Sequence, residues 1–124
     1  MEIKKSSEDY LEMILMLREQ KGYARSIDIA SALGVTKPSV SYAMKRLREN
    51  DYILMDHEGF ITLTEKGAEI ANSIYDRHKM LTHFFISIGV SEETAKEDAC
   101  KIEHDLSEET YNAMCKHVSK LEQE

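Results

Sequence analysis

The feature that most constrains the fold is a pair of short helical segments, separated by a glycine and followed at once by two β-prone segments. The apolar spacing of residues 26–33 predicts a helix that Gly34 ends. Thr36 has the residue type of an N-cap, and Pro38 suits the first turn of a third helix that runs to about Asn50. Two helices packed across a glycine-containing turn form a helix-turn-helix unit.

The two segments that follow predict a β-hairpin. Residues 52–55 and 60–63 are β-prone, and the turn-type sequence Asp56-His57-Glu58-Gly59 separates them. A first amphipathic helix, from about Ser6 or Ser7 to Lys21, precedes the helix-turn-helix unit. Residues 1–63 are therefore expected to form a winged helix-turn-helix DNA-binding domain with a two-stranded wing.

The rest of the chain has only helical patterns. A long helix is expected from Thr64 to Gly89, a fifth helix capped by Ser91 reaches about Asp105, and a sixth capped by Ser107 continues towards Leu121. The fold class is therefore mainly α. Residues 64–124 are expected to form a helical domain.

Basic and hydroxyl side chains cluster on the third helix, where residues 33–48 contain four Lys or Arg residues and no acid. Such a surface is typical of a recognition helix, although a solvated basic face has the same composition. The net charge of −7 does not exclude DNA, because residues 91–124 hold most of the excess acid. The candidate DNA-binding residues are Arg25, Thr36, Lys37, Pro38, Ser39, Ser41, Tyr42, Lys45 and Arg46.

Cys100, Glu103 and His104 offer a thiol, a carboxylate and an imidazole at positions i, i+3 and i+4. On a helix these side chains share one face, and together they are a plausible but incomplete set of transition-metal ligands. The alternative without a metal is a solvated helix face with a half-buried cysteine. Asp9 and Glu12 also share a helix edge, but acids near a helix start are ordinarily explained by the helix dipole.

Several other function classes find little support in the sequence. The chain has no apolar run near 18 residues and no apolar segment behind its first residues, so a cytoplasmic protein with reduced cysteines is expected. It has no nucleophile elbow, phosphate-binding glycine loop or HExxH motif, so no enzymatic activity is expected. Two alternatives stay open: a thiol-based redox regulator that uses Cys100 or Cys115, and a small metalloenzyme.

Short motifs along nearly the whole chain resemble the diphtheria toxin repressor family of metal-dependent transcriptional repressors, in particular its short manganese transport regulator branch. The segments that carry the resemblance are residues 7–12 (SEDYLE), 21–25 (KGYAR), 28–30 (DIA), 63–67 (LTEKG), 77–78 (RH), 88–90 (IGV) and 102–107 (IEHDLS). The resemblance implies a homodimer with N-terminal winged helices and a helical metal-binding and dimerisation half. It also implies that the SH3-like third domain of longer members is absent.

The resemblance further implies a metal site and a function. The implied ligands are Asp9, Glu12, His78, Cys100, Glu103 and His104. Asp9 and Glu12 resemble the manganese branch, whereas a cysteine at position 100 resembles the iron-responsive branch. The expected protein is a repressor that Mn²⁺ or Fe²⁺ activates, with Co²⁺ or Zn²⁺ as substitutes in vitro. It binds double-stranded operator DNA, controls manganese or iron uptake, and has no membrane partner and no small-molecule substrate besides the metal.

Overall fold

The computed structural model describes residues 4–122. In that range the elements are, in order, α1 (Lys5–Lys21), α2 (Ser26–Leu33), α3 (Lys37–Glu49), β1 (Ile53–Met55), β2 (Ile61–Leu63), α4 (Glu65–Ser87), α5 (Glu92–Ile102) and α6 (Glu108–Glu122). The predicted mainly helical fold, with a two-stranded wing after the third helix, is confirmed. Within the described range, no helix combines the length and the apolar character that crossing a membrane would require.

The helix-turn-helix unit is formed by α2 and α3. Gly34 joins the two helices with a φ of 67°, a left-handed conformation that glycine adopts readily. Thr36 is the N-cap of α3, and its Oγ1 accepts a hydrogen bond from the Ser39 N–H at 3.3 Å. The buried face of α3 consists of Val40, Met44 and Leu47. Because these residues occupy one side of the helix, the basic side chains lie on the exposed side.

The wing is an antiparallel pair of three-residue strands, in which Ile53 lies opposite Leu63. In the intervening turn, Oδ1 of Asp56 accepts hydrogen bonds from the backbone N–H groups of Glu58 and Phe60, both at 2.9 Å. An aspartate that binds its own following backbone in this way favours a tight turn. The predicted turn therefore forms at the predicted residues.

The start of α4 packs against the residue that precedes β1. A Cβ atom placed on Gly67 would lie 2.0 Å from the carbonyl oxygen of Tyr52, which is closer than any side chain allows. Thr64 secures the same junction, because its Oγ1 donates to the Asp51 carbonyl oxygen at 2.6 Å and accepts from the Gly67 N–H at 3.1 Å. Only glycine at position 67 therefore allows α4 to pack this closely against Tyr52.

A single apolar core unites the helix-turn-helix unit, the wing and the first turns of α4. Its largest fully buried members are Leu11, Ile14, Ile29, Val40, Met44, Leu47, Ile53 and Ile61, and it extends to Ala71 of α4. By packing, the described chain divides into two compact units between Ser73 and Ile74, inside α4. The domain boundary predicted between residues 63 and 64 stays a prediction.

The second unit contains the rest of α4, together with α5 and α6. The predicted end of α5 at Asp105 is wrong, because the helix ends at Ile102. The N–H groups of Asp105 and Leu106 both donate to the Ile102 carbonyl oxygen at 3.1 Å, so the chain closes into a turn over residues 103–106. Ser107 then caps the next helix, since its Oγ accepts from the Thr110 N–H at 3.2 Å.

Candidate metal centre and DNA-binding surface

Three of the predicted ligands converge inside the second unit. His78 comes from α4, Cys100 comes from α5, and Glu103 comes from the turn after α5. Nδ1 of His78 lies 2.9 Å from Oε2 of Glu103 and 3.7 Å from Sγ of Cys100. The three potential ligand atoms all lie within 4.8 Å of one another.

Hydrogen bonds within this cluster favour the protonated form of His78. The Glu103 side chain is 1% exposed and the His78 side chain 14% exposed, whereas Cys100 is exposed. Hydrogen bonds that the protonated imidazole donates to Cys100, and then to Glu103, raise the pKa of His78 from 6.5 to about 10. A buried carboxylate needs a positive partner, and the protonated imidazole supplies it. Without metal, the protonated imidazole of His78 therefore carries the positive charge that balances the Glu103 carboxylate.

The cluster fits a first-row divalent cation. Protein ligands bind such ions at about 2.0–2.3 Å, which places neighbouring ligand atoms roughly 3–4 Å apart. The His78–Glu103 and Cys100–His78 distances of 2.9 and 3.7 Å are close to that spacing. A nitrogen, a sulfur and an oxygen together suit Fe²⁺, Co²⁺ or Zn²⁺ better than they suit a hard ion that takes oxygen ligands alone.

His104 lies beside Glu103 in the same turn rather than on a continuing helix. Its Nε2 is 3.5 Å from Oε1 of Glu103, and its side chain is 1% exposed. The Glu103 carboxylate thus has one oxygen near each of two histidines, Oε2 near His78 and Oε1 near His104. The αR backbone of Glu103 preserves the helical i, i+3 relation to Cys100 although α5 has ended.

Asp9 and Glu12 belong to α1, in the first unit. They stand three positions apart and so share one edge of that helix. Glu12 is buried, with 7% of its surface exposed, and Asp9 is partly buried. Burial is unusual for a glutamate on an amphipathic helix, which distinguishes Glu12 from an ordinary solvated acid. Their role as ligands stays a prediction from the family resemblance.

Arg77, the residue before His78, has a role in the structure that the sequence does not indicate. In the structure its Nη1 donates hydrogen bonds to the backbone carbonyl oxygens of Glu103, at 3.3 Å, and Leu106. Its guanidinium also lies over the Tyr111 ring, 5.0 Å from the ring centre. Its place next to a candidate ligand was the only signal in the sequence, because backbone carbonyl acceptors leave no trace in residue types.

The candidate DNA surface is the exposed face of α3. Lys37, Ser41, Lys45 and Arg46 are exposed there, and Tyr42 is 63% exposed. Nη1 of Arg46 donates to the Tyr42 hydroxyl at 3.3 Å, and the guanidinium lies 5.8 Å from the centre of that ring. This pair presents a planar cation and an aromatic edge to solvent, which are groups that bind phosphates and bases.

The residues at the start of α3 already have structural roles. Thr36 caps the helix and its hydroxyl donates to Ser39 Oγ at 2.8 Å, while Pro38 occupies the first turn. All three are exposed, so they remain accessible to a partner. Their use in DNA binding is a prediction that rests on this exposure and on their place at the start of the helix.

Arg25 differs from the other candidates because its guanidinium contacts the wing. Its Nη2 donates to the Glu58 carbonyl oxygen at 2.8 Å, and its Cζ lies 5.2 Å from the centre of the Phe60 ring. The Ala24 carbonyl oxygen next to it accepts a hydrogen bond from the Ile61 N–H at 2.8 Å. The stretch before α2 thus holds the wing.

Two family profiles match the sequence. One, described as "Iron dependent repressor, N-terminal DNA binding domain", matches residues 2–59. The other, described as "Iron dependent repressor, metal binding and dimerisation domain", matches residues 64–124. The matched regions follow one another along the chain in the order of the two predicted domains.

Individual relatives agree with these profiles. The proteins called HTH-type transcriptional regulator MntR in Bacillus velezensis and in Bacillus subtilis are each 43% identical to this chain over 102 residues, which is 82% of this chain and 72% of the relative. Among solved structures, T. acidophilum IdeR is similar with a TM-score of 0.82 and 28% identity, and the manganese regulator SloR with 0.79 and 29%. Both similarities cover 96% of this chain but 55% of the solved chain, so this chain spans about half the length of those proteins.

Proposed function

The chain belongs to the iron-dependent repressor family of metal-dependent, DNA-binding transcriptional regulators, and on that premise we propose that it is a dimeric repressor of genes for manganese or iron uptake. The family is one of regulators rather than enzymes, so the metalloenzyme alternative is set aside. A regulator that acts on operator DNA works in the cytoplasm, which is the location we propose.

The observation that carries this proposal is the convergence of His78, Cys100 and Glu103 within 4.8 Å of one another. Surface acids alone are common, but a buried glutamate that faces an imidazole, with a thiol beside both, supports the proposal that the three bind a metal. We propose that His104, Asp9 and Glu12 complete the coordination. A bound divalent cation would supply positive charge that neutralises the carboxylates and takes the place of the proton on His78.

The choice of metal is proposed from the relatives and from the residue at position 100. The solved relative SloR is described as a manganese regulator, and the matching profiles are named for iron dependence. We propose Mn²⁺ or Fe²⁺ as the physiological ion. The thiol of Cys100 favours Fe²⁺, because sulfur is a softer ligand than the hard Mn²⁺ ion prefers.

For the DNA, we propose that α3 enters the major groove. Its N-terminal residues would reach base edges, while Lys37, Lys45 and Arg46 contact phosphates. In a homodimer, two such helices would reach successive major grooves about 34 Å apart, or a multiple of that distance. The proposed operator is therefore palindromic double-stranded DNA.

Metal activation requires that the metal binds the DNA-competent state more tightly than it binds other states. A tenfold gain in DNA affinity needs about 1.4 kcal/mol of such preference. The gain in DNA affinity depends only on this difference in metal binding between the two states. It does not depend on how tightly the protein binds metal alone or DNA alone.

The experiment is an anaerobic titration of DNA binding with Mn²⁺, Fe²⁺, Co²⁺ and Zn²⁺ separately. The DNA is a duplex selected from a random pool with the full chain in the presence of Mn²⁺ or Fe²⁺, and binding is followed by fluorescence anisotropy. At least one ion should raise DNA affinity tenfold or more, and His78→Gln should need far more metal for the same effect. If all four ions leave the wild-type affinity unchanged, the proposed function is wrong.

A further inference from the structure

Arg77 connects α4 to the turn that carries two of the proposed ligands. The turn follows α5 and contains Glu103 and His104. Nη1 of Arg77 donates to the Glu103 carbonyl oxygen at 3.3 Å and also to the Leu106 carbonyl oxygen. One nitrogen of one side chain thus holds both ends of the turn.

These hydrogen bonds have a clear physical basis. The last carbonyl groups of a helix have no partners within the helix, which applies to Glu103 at the C-cap of α5, and the Leu106 carbonyl lies in the turn beyond it. A nearby arginine can donate to both. A hydrogen bond from a charged guanidinium is shorter and stronger than one between neutral groups. The guanidinium also lies over the Tyr111 ring of α6, with Cζ 5.0 Å from the ring centre, which is a stabilising cation–π contact. Arg77 of α4 is therefore held by contacts to the turn after α5 and to α6.

The consequence lies in the next residue along α4. His78 contacts the Glu103 side chain at 2.9 Å, while Arg77 contacts the backbone carbonyl of the same glutamate. Two consecutive residues of α4 thus contact Glu103, one through its side-chain carboxylate and the other through its backbone carbonyl. The spacing between the imidazole of His78 and the carboxylate of Glu103 depends on where the turn lies, and Arg77 donates hydrogen bonds to two carbonyl groups of that turn.

We propose that Arg77 is a positioning residue for the metal site, which fixes the Glu103–His104 turn against His78 without itself binding metal. This inference rests on the proposed function, because it presupposes that these residues bind a metal. Groups that orient metal ligands typically contribute 10- to 100-fold to metal affinity. Arg77 would make such a contribution through main-chain carbonyls rather than through a ligand side chain.

The sign of the effect separates positioning from simple electrostatics. A fixed positive charge repels a cation, so removing it should strengthen metal binding if charge were the only effect. Loss of positioning should weaken metal binding instead. Arg77→Gln removes the charge and most of the donors, and Arg77→Lys keeps the charge but loses the planar fork that suits two acceptors. Lys79→Gln is the matched control, since Lys79 is an exposed cation two residues away that pairs with Asp76.

The test measures Co²⁺ binding to the full chain under anaerobic conditions, together with the intensity of the thiolate-to-cobalt charge-transfer band. Arg77→Gln should weaken Co²⁺ binding about tenfold or more. Arg77→Lys should lie between it and the wild type, and both should show an altered band at saturating metal. Lys79→Gln should bind Co²⁺ as the wild type does, or slightly more tightly.

Folding is checked by circular dichroism, and if Arg77→Gln does not fold, Arg77→Lys carries the test. Wild-type affinity and an unchanged band in the folded Arg77 variants would overturn the inference and leave the proposed function standing. Tighter binding in those variants would also overturn it, since charge alone would then explain the result. A wild-type chain that binds no Co²⁺, Mn²⁺ or Fe²⁺ would instead refute the proposed function itself.

Discussion

The carboxylate of Glu103 lies 2.9 Å from Nδ1 of His78, and only 1% of the glutamate side chain is exposed. The sulfur of Cys100, as a hydrogen-bond acceptor, favours the protonated imidazole, and the buried carboxylate of Glu103 acts in the same direction. Together they raise the pKa of His78 from 6.5 to about 10, with the Cys100 hydrogen bond as the larger cause. The metal-free site therefore holds a proton where the proposed metal-bound site holds a cation.

This relationship predicts how stability depends on pH in the metal-free protein. A group whose folded-state pKa lies above its unfolded value stabilises the fold fully below the unfolded pKa and loses that effect as pH rises through the folded pKa. The free energy of unfolding should therefore fall between pH 6.5 and about 10 more steeply in the wild type than in His78→Gln. Urea denaturation in EDTA at several pH values measures this difference. Parallel curves for the two proteins would show that His78 keeps an ordinary pKa.

A second prediction concerns the identity of residue 100. A thiolate at this position should favour Fe²⁺, Co²⁺ or Zn²⁺ over Mn²⁺, and Cys100→Glu should shift the preference towards Mn²⁺ by supplying an oxygen ligand. Cys100→Ala removes the ligand altogether and serves as the control. The measurement is metal-dependent DNA binding of the three proteins with each ion. An unchanged order of metals across all three would show that Cys100 is not a ligand.

A third prediction separates the DNA surface from the metal site. Lys37→Ala and Lys45→Ala should each weaken DNA binding and lower the slope of log K against log salt by about 0.9 if the lysine contacts one phosphate. Metal affinity should not change. Lys96→Ala is the control, because Lys96 is an exposed lysine of α5 that pairs with Glu92 at 3.0 Å. Undiminished DNA affinity in both α3 variants would mean that α3 is not the recognition helix.

A fourth prediction follows from the contact between Gly67 and Tyr52. The Cβ atom of Gly67→Ala would overlap a backbone carbonyl oxygen, which cannot rotate away, so the chain should lose at least about 2 kcal/mol of stability. Gly34→Ala is the comparison, since its Cβ would meet nothing within 4 Å and only the left-handed backbone opposes it. That variant should lose about 1–2 kcal/mol. A smaller loss for Gly67→Ala than for Gly34→Ala in urea denaturation would contradict the packing described for α4.

The elements that sequence reasoning predicted well are those with local causes. Thr36, Pro38 and Gly34 define the ends of α2 and α3 through capping and backbone preferences that act within a few residues. The wing turn at Asp56 has the same local origin. The end of α5 was missed by three residues because no glycine or proline marks it, and the shared acceptor at Ile102 is visible only in three dimensions.

The candidate site was less accessible to sequence reasoning. The spacing of Cys100 and Glu103 indicated a shared face, but nothing in the pattern around His78 indicated that it faces them, and only the family resemblance did. The contacts of Arg77 and Arg25 were invisible for a common reason. Both guanidinium groups bind backbone carbonyls, at Glu103 and at Glu58, and the sequence does not show which carbonyls lie within reach.

The coupling between metal binding and DNA binding is measured by closing the thermodynamic cycle. The affinity of the wild-type full chain for its selected DNA is measured in excess EDTA and in excess Mn²⁺ or Fe²⁺, and the metal affinity is measured with and without saturating DNA. DNA binding should be lost in EDTA, and DNA should tighten metal binding by the factor by which metal tightens DNA binding, because linkage is reciprocal. Equal DNA affinity in EDTA and in metal would show that metal does not activate DNA binding.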